Sequence, residues 1–190
     1  MKLGLEQLKA KLGSHFVLLL QIVAVLWMIE LADFLLWNVD LDQFGIHPRT
    51  LAGLRNVLFA PFLHYGLWHL ISNTVPFVIL GWFVLLRGQR EFNYVSIVAG
   101  LSSGLGVWLL GASNSVHLGI SGIIFGYLGF LLLRGYFERS VLALALAALA
   151  LFLYGGMLWG LLPLQPGVSW LGHLFGFAGG GLAAYQLGKK

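Results

Sequence analysis

Ser121, His173, His69 and Asn73 are the residues whose types and spacing fit acyl-transfer chemistry. Each lies in or at the edge of a long apolar run, where a polar side chain is costly and tends to face the interior of a helix bundle. A serine hydroxyl becomes a nucleophile only with a base within about 3 Å. His173 is the expected base. The transition state of acyl transfer also needs donors for its oxyanion. His69 and Asn73, spaced i and i+4, share one helix face and offer side-chain N–H groups. The backbone N–H of Ser121 is a third donor, because Gly119-Ile120-Ser121-Gly122 opens an apolar run and the first amides of a helix are free. No carboxylate stands near these residues in sequence; Glu30 and Asp33 fall in a different run. The expected unit is therefore a Ser-His dyad, with Phe125, one turn after Ser121, as the ring that lies under the imidazole.

These residues must be positioned by a membrane-embedded bundle. The chain has 190 residues, 59% hydrophobic and only 9% charged, with mean hydropathy +0.88. A water-soluble domain needs more charge to cover its surface. The net charge of +4 is spread over loops between apolar runs, so it carries no nucleic-acid signal. There is no cysteine, which excludes disulfides, thiolate metal sites and a cysteine nucleophile. Neither a metal nor a cofactor is expected.

Six runs approach the roughly 20 residues that cross a bilayer, at about 16–37, 67–86, 93–112, 119–137, 141–162 and 168–187. The first follows Lys2, Lys9 and Lys11 but has no convincing small-residue cleavage site, so it reads as a retained span behind a short N-terminal segment of about 1–15. Pro76 is expected to kink the second. The only long connector, Asn38 to Gly66, contains Leu41, Phe44, Ile46, Leu51, Leu54, Val57 and Phe59. It is too apolar for a free linker and reads as a partly helical segment in the membrane surface. With six spans, Lys2, Lys9, Lys11, Arg87, Arg90, Arg134, Arg139, Lys189 and Lys190 share one side, which marks both termini as cytoplasmic. Only Arg49 and Arg55 fall on the other. Trp37, Trp68, Trp159 and Trp170 map near that outer interface, and so do all four candidate site residues. The fold class is an all-α membrane protein in one domain, residues 1–190.

Small residues give the means of bringing the dyad together. Gly122, Gly126 and Gly129 form a stripe on the fourth span, and Gly172, Gly176 and Gly180 form one on the sixth. Glycines at these spacings let two helix backbones approach closely, which would carry His173 to Ser121. Taken singly, each feature has a plainer reading: a serine that bonds back to its own helix, a His–Asn pair between helices, a common packing motif. His15, His47 and His117 lie in terminal or loop positions and read as surface residues.

The combination resembles the rhomboid family of intramembrane serine proteases, in its minimal six-span form. The matching residues are His69-x-x-x-Asn73 in span two, Gly119-Ile-Ser121-Gly122 at the start of span four, and His173-x-x-Gly176-x-x-x-Gly180 in span six. The resemblance runs from about Leu54 onward. It implies Ser121 as nucleophile, His173 as general base, and an oxyanion hole of His69, Asn73 and the Ser121 amide. It also implies that His64 ties the first outer loop to the site. The implied substrates are transmembrane segments of other proteins in the lipid bilayer, cut near their outer ends without a cofactor. Three departures stand out. Leu54-Arg55 replaces a common Trp-Arg, Phe125 replaces a frequent tyrosine, and Leu85 lies near the place of a common glutamate.

Three other readings fit parts of the pattern. A catalytically silent relative would bind or escort membrane proteins, but such relatives generally lack the serine or the histidine. A proton channel would need polar residues across the whole bilayer, and the inner halves of the spans are almost wholly apolar. A different hydrolase could use G-x-S-G, though in soluble hydrolases that motif sits on a strand-turn-helix. Gly155, Gly156 and Gly160 are expected to loosen span five. With the connector Leu162–Ser169, that span would form the substrate entrance.

Overall fold

A computed structural model describes residues 2–36 and 40–188. Seven α-helices carry the fold among them: α1 (Lys2–Leu35), α2 (Leu51–Asn56), α3 (Leu67–Arg87), α4 (Gln89–Leu110), α5 (Ser121–Glu138), α6 (Val141–Tyr154) and α7 (Trp170–Gly188). The six long ones fall where the apolar runs predict. Among the described residues, four segments are long and apolar enough to cross a membrane: Gly4–Leu35, Leu67–Arg87, Gln89–Leu110 and Val141–Leu161. α5 and α7, at 18 and 19 residues, are roughly 27–29 Å long, close to the thickness of a bilayer core. They are less apolar because they are the glycine-rich inside of the bundle, packed on each other and on α4 rather than facing out.

α5 is the central helix. Ile124, Tyr127, Leu128, Phe130 and Leu131 on it are almost wholly buried, against Phe77 and Leu80 of α3, Phe92 and Val95 of α4, Leu146 of α6 and Ala183 and Ala184 of α7. Close approach of α5 and α7 depends on missing side chains. A Cβ on Gly176 would land on the carbonyl oxygen of Gly122, and one on Gly180 on that of Gly126. Dispersion, rather than exclusion of water, drives such contacts between spans.

α1 begins well before the first apolar run, so the N-terminal segment is helical and continuous with span one. This corrects the surface reading of His15. It lies inside α1 with 4% of its surface exposed, and its ring meets the edge of Trp82 at a centroid distance of 6.5 Å. Trp37, Lys189 and Lys190 lie outside the described residues, as does the side chain of Lys2. Pro76 is accommodated within an unbroken α3.

The long connector is partly helical, as expected. It has 3-10 turns at Leu41–Phe44 and Ala60–Phe62, with α2 between them. Thr50 caps α2, its side chain accepting from the Gly53 amide at 2.9 Å. Ile46, Val57, Ala60 and Leu63 form a small core with Val107 of α4 and Leu118. That core fixes the connector over the bundle, while Leu51, Leu58 and Phe59 point out. At the opposite end of the bundle, Arg87, Glu91, Arg134 and Glu138 join α3, α4 and α5 in one ion-pair network. Leu85, two residues before Arg87, is fully buried.

Candidate active site

Ser121 is the first residue of α5, and His173 lies in the first turn of α7. The glycine contacts between these helices bring His173 Nε2 to 2.9 Å from Ser121 Oγ. His173 Nδ1 lies 3.0 Å from the carbonyl oxygen of Gly160. A carbonyl only accepts, so Nδ1 carries the hydrogen and Nε2 offers its lone pair to the Ser121 O–H. The Phe125 ring stacks on the imidazole at a centroid distance of 4.1 Å and an interplanar angle of 11°. Sequence reasoning found the stacking ring but missed the Gly160 carbonyl. That carbonyl lies at the C-terminal end of the 3-10 turns over Gly155–Leu161, and the residue three positions on, Pro163, has no N–H to give it.

His69 and Asn73 line the same cavity as Ser121. The Tyr65 amide donates to His69 Nδ1 at 3.2 Å, which leaves the hydrogen of a neutral His69 on Nε2. The Asn73 side-chain nitrogen is buried and has no partner among the described residues. Such an orphaned donor is expensive unless something occupies the space in front of it. Gly119, at φ +114°, turns the chain into α5 in a conformation that favours glycine. A Cβ there would sit 2.9 Å from His69 Cε1 and 3.9 Å from Asn73 Nδ2. Gly119 N also donates to Ala60 O at 2.9 Å, tying this turn to the connector. His64 is buried, edge-on to His69 with ring centroids 5.1 Å apart. Neither of its ring nitrogens has a partner among the described residues. Burial, with His69 beside it, lowers its pKa to about 3, so it is neutral.

A cavity of about 660 Å³ opens onto Ser121, His173, His69 and Asn73, with Met157, Pro76 and Tyr65 in its wall. Ser121, His173, His69, Asn73 and Phe125 thus meet around one cavity, with Gly122, Gly176 and Gly180 in the α5–α7 contact and Gly119 and His64 against His69. His117 is the correction. It is half-buried and lines the cavity instead of lying on the surface. Its Nδ1 is 2.7 Å from Ser169 Oγ and its Nε2 is 2.8 Å from Ser115 Oγ. Proximity to Gly119 was the only sequence signal for it.

An O–H held against an imidazole lone pair, with the unpaired Asn73 donor lining the same cavity, can activate a hydroxyl and accommodate an oxyanion. A family model described as the Rhomboid domain matches residues 52–190. An uncharacterized protein of Mycobacterium tuberculosis is 41% identical over 177 residues, covering 89% of this chain and 73% of its own length. One of Mycobacterium leprae is 38% identical over 179 residues, covering 90% and 70%. A Bacillus subtilis protein named "Putative rhomboid protease YdcA" is 26% identical over 187 residues, covering 92% and 88%.

Proposed function

The chain belongs to the rhomboid family, and we propose that it is an intramembrane serine endopeptidase that cuts transmembrane segments near their outer ends. The observation that carries this is the 2.9 Å approach of His173 Nε2 to Ser121 Oγ, with the tautomer fixed by Gly160. A catalytically silent escort has no use for that arrangement.

Ser121 Oγ attacks the scissile carbonyl while its proton passes to His173 Nε2. The imidazolium keeps its Nδ1–H on the Gly160 carbonyl and its face on Phe125, a cation-π contact. The developing oxyanion accepts hydrogen bonds from Asn73 Nδ2, His69 Nε2 and the Ser121 amide. On collapse, His173 returns the proton to the leaving amine and an acyl-enzyme remains. A water then attacks it, giving its proton to His173, and the carboxylic product leaves as Ser121 recovers its hydrogen. The backbone carbonyl does part of what a carboxylate does in a triad: it orients the ring and stabilises the cation.

A helical substrate hides its carbonyls, so it must unwind to reach Ser121. The short α6 and its 3-10 extension leave a yielding wall beside the cavity, and substrates enter there from the lipid. By the distribution of Lys and Arg, both termini are cytoplasmic and the site opens outward. The mycobacterial relatives support a prokaryotic membrane. The test is cleavage of a panel of single-span proteins in liposomes. At least one must be cut within its span by the wild type and left whole by Ser121→Ala. A panel untouched by both would remove the protease reading.

A further inference from the structure

His117 sits at the one point where three separate parts of the site meet. Its backbone pairs with the outer connector: Ile46 N donates to His117 O at 2.7 Å, and His117 N donates to Ile46 O at 3.1 Å. Two residues later Gly119 makes the turn that presents Ser121. The imidazole then reaches the other helix of the dyad. Ser115 Oγ donates to Ala112 O at 2.6 Å, so it accepts from His117 Nε2–H. His117 Nδ1 is thereby left as an acceptor, and Ser169 Oγ donates to it at 2.7 Å. Ser169 immediately precedes α7, and its carbonyl accepts the backbone N–H of His173 itself at 3.0 Å. A continuous chain of hydrogen bonds thus runs from the loop that carries the nucleophile to the backbone of the base.

We infer that His117 is a positioning residue for the Ser121–His173 pair, acting through Ser169 to hold the serine loop and the start of α7 in one register. The inference rests on the protease reading. It assigns work to a histidine that touches neither reacting atom.

The reason such a strut is needed is mechanical. Gly176 against Gly122 and Gly180 against Gly126 set the distance between α5 and α7 themselves. The loop before Ser121 and the residues before α7 lie beyond those contacts, where they border the opening of the cavity, and the His117–Ser169 bond is what joins them there. Displacements of about 1 Å there cost on the order of a hundredfold in rate. A polar strut across that opening holds the dyad while leaving the cavity accessible. The Asn oxygen can stand where Nδ1 stands and accept from Ser169, so Asn is the conservative replacement at this position.

The experiment uses the full chain in detergent, with His117→Ala, His117→Asn, Ser169→Ala and the His117→Ala/Ser169→Ala double variant. Cleavage of a transmembrane substrate gives kcat and KM, and 15N-histidine NMR reads the His173 ring whether or not the chain cleaves. The expected results are a kcat about tenfold lower in both alanine variants, an unchanged KM, and a double variant no worse than either single one. His117→Asn should recover most of the rate, and the His173 15N shifts should move in His117→Ala. Wild-type kcat and unmoved His173 shifts in His117→Ala overturn the inference and leave the protease reading intact. If His117→Ala does not fold, Ser169→Ala, which removes one oxygen, decides in the same way. A wild type that never cleaves, with His173 shifts that still move in His117→Ala, removes the protease and keeps the coupling.

Discussion

His173 Nδ1 donates to the carbonyl oxygen of Gly160 at 3.0 Å, across thirteen residues of sequence. This bond sets which nitrogen of His173 faces Ser121. A side chain at Gly160 would disturb it directly, because a Cβ there would lie 2.9 Å from Phe125 Cζ and 3.4 Å from His173 Nδ1. Gly160→Ala should therefore lower kcat/KM about tenfold, which is ~1.4 kcal/mol of transition-state stabilisation, with little change in melting temperature. Wild-type cleavage by this variant would contradict the role given to the carbonyl.

The α5–α7 contact makes a sharper demand. In Gly176→Ala the new methyl lands on the Gly122 carbonyl oxygen, and the helices must part. The expected cost is about 1–3 kcal/mol, read as a lower melting temperature, with dyad function lost as well. Gly4→Ala is the matched control, since nothing lies within 4 Å of a Cβ there, and it should behave as wild type. Equal stability of the two variants would mean that the close approach is not needed.

Much of this arrangement is legible in the sequence because the bilayer penalises polar groups. His69, Asn73, Ser121 and His173 stand out against apolar runs, and the glycine spacings tell which helices touch. The parts that were not legible have physical reasons. The Gly160 carbonyl belongs to the backbone and leaves no mark on residue type. His117 follows Ser113-Asn114-Ser115, where a histidine looks like ordinary loop polarity. His15 follows three lysines and looks like part of a tail until α1 is seen to run through it. α5 and α7 fall short of the other spans in apolar character because their neighbours are helices rather than lipid.

His64 gives a prediction about pH. Its ordinary value of 6.5 falls to about 3 in the folded chain, chiefly through burial. A depressed pKa means that folding favours the neutral ring. The stability this contributes is complete above about pH 6.5 and is lost as pH falls toward 3. His64→Gln cannot titrate, so its melting temperature should fall less steeply than that of the wild type across that window. Parallel slopes for the two proteins would show that His64 is not the group responsible.

Substrate admission beside α6 can be tested by closing the gap. The chain has no cysteine of its own, so cysteines placed at Ser72 and Met157 would be unique. Both positions line the cavity, one on α3 and one on the 3-10 turns after α6. Joining them with a short bifunctional thiol reagent should block cleavage of transmembrane substrates and spare reaction with a small phosphonate probe. Loss of both activities together would argue against admission from the lipid.

The central claim is that Ser121 is an activated nucleophile with His173 as its base. Its most direct test is labelling of the detergent-purified chain by a fluorophosphonate, with the modified residue located by mass spectrometry, in wild type, Ser121→Ala and His173→Ala. The account predicts labelling of the wild type at Ser121 and none in either variant. A folded wild type that stays unlabelled, or a label found on another serine such as Ser169, would contradict it.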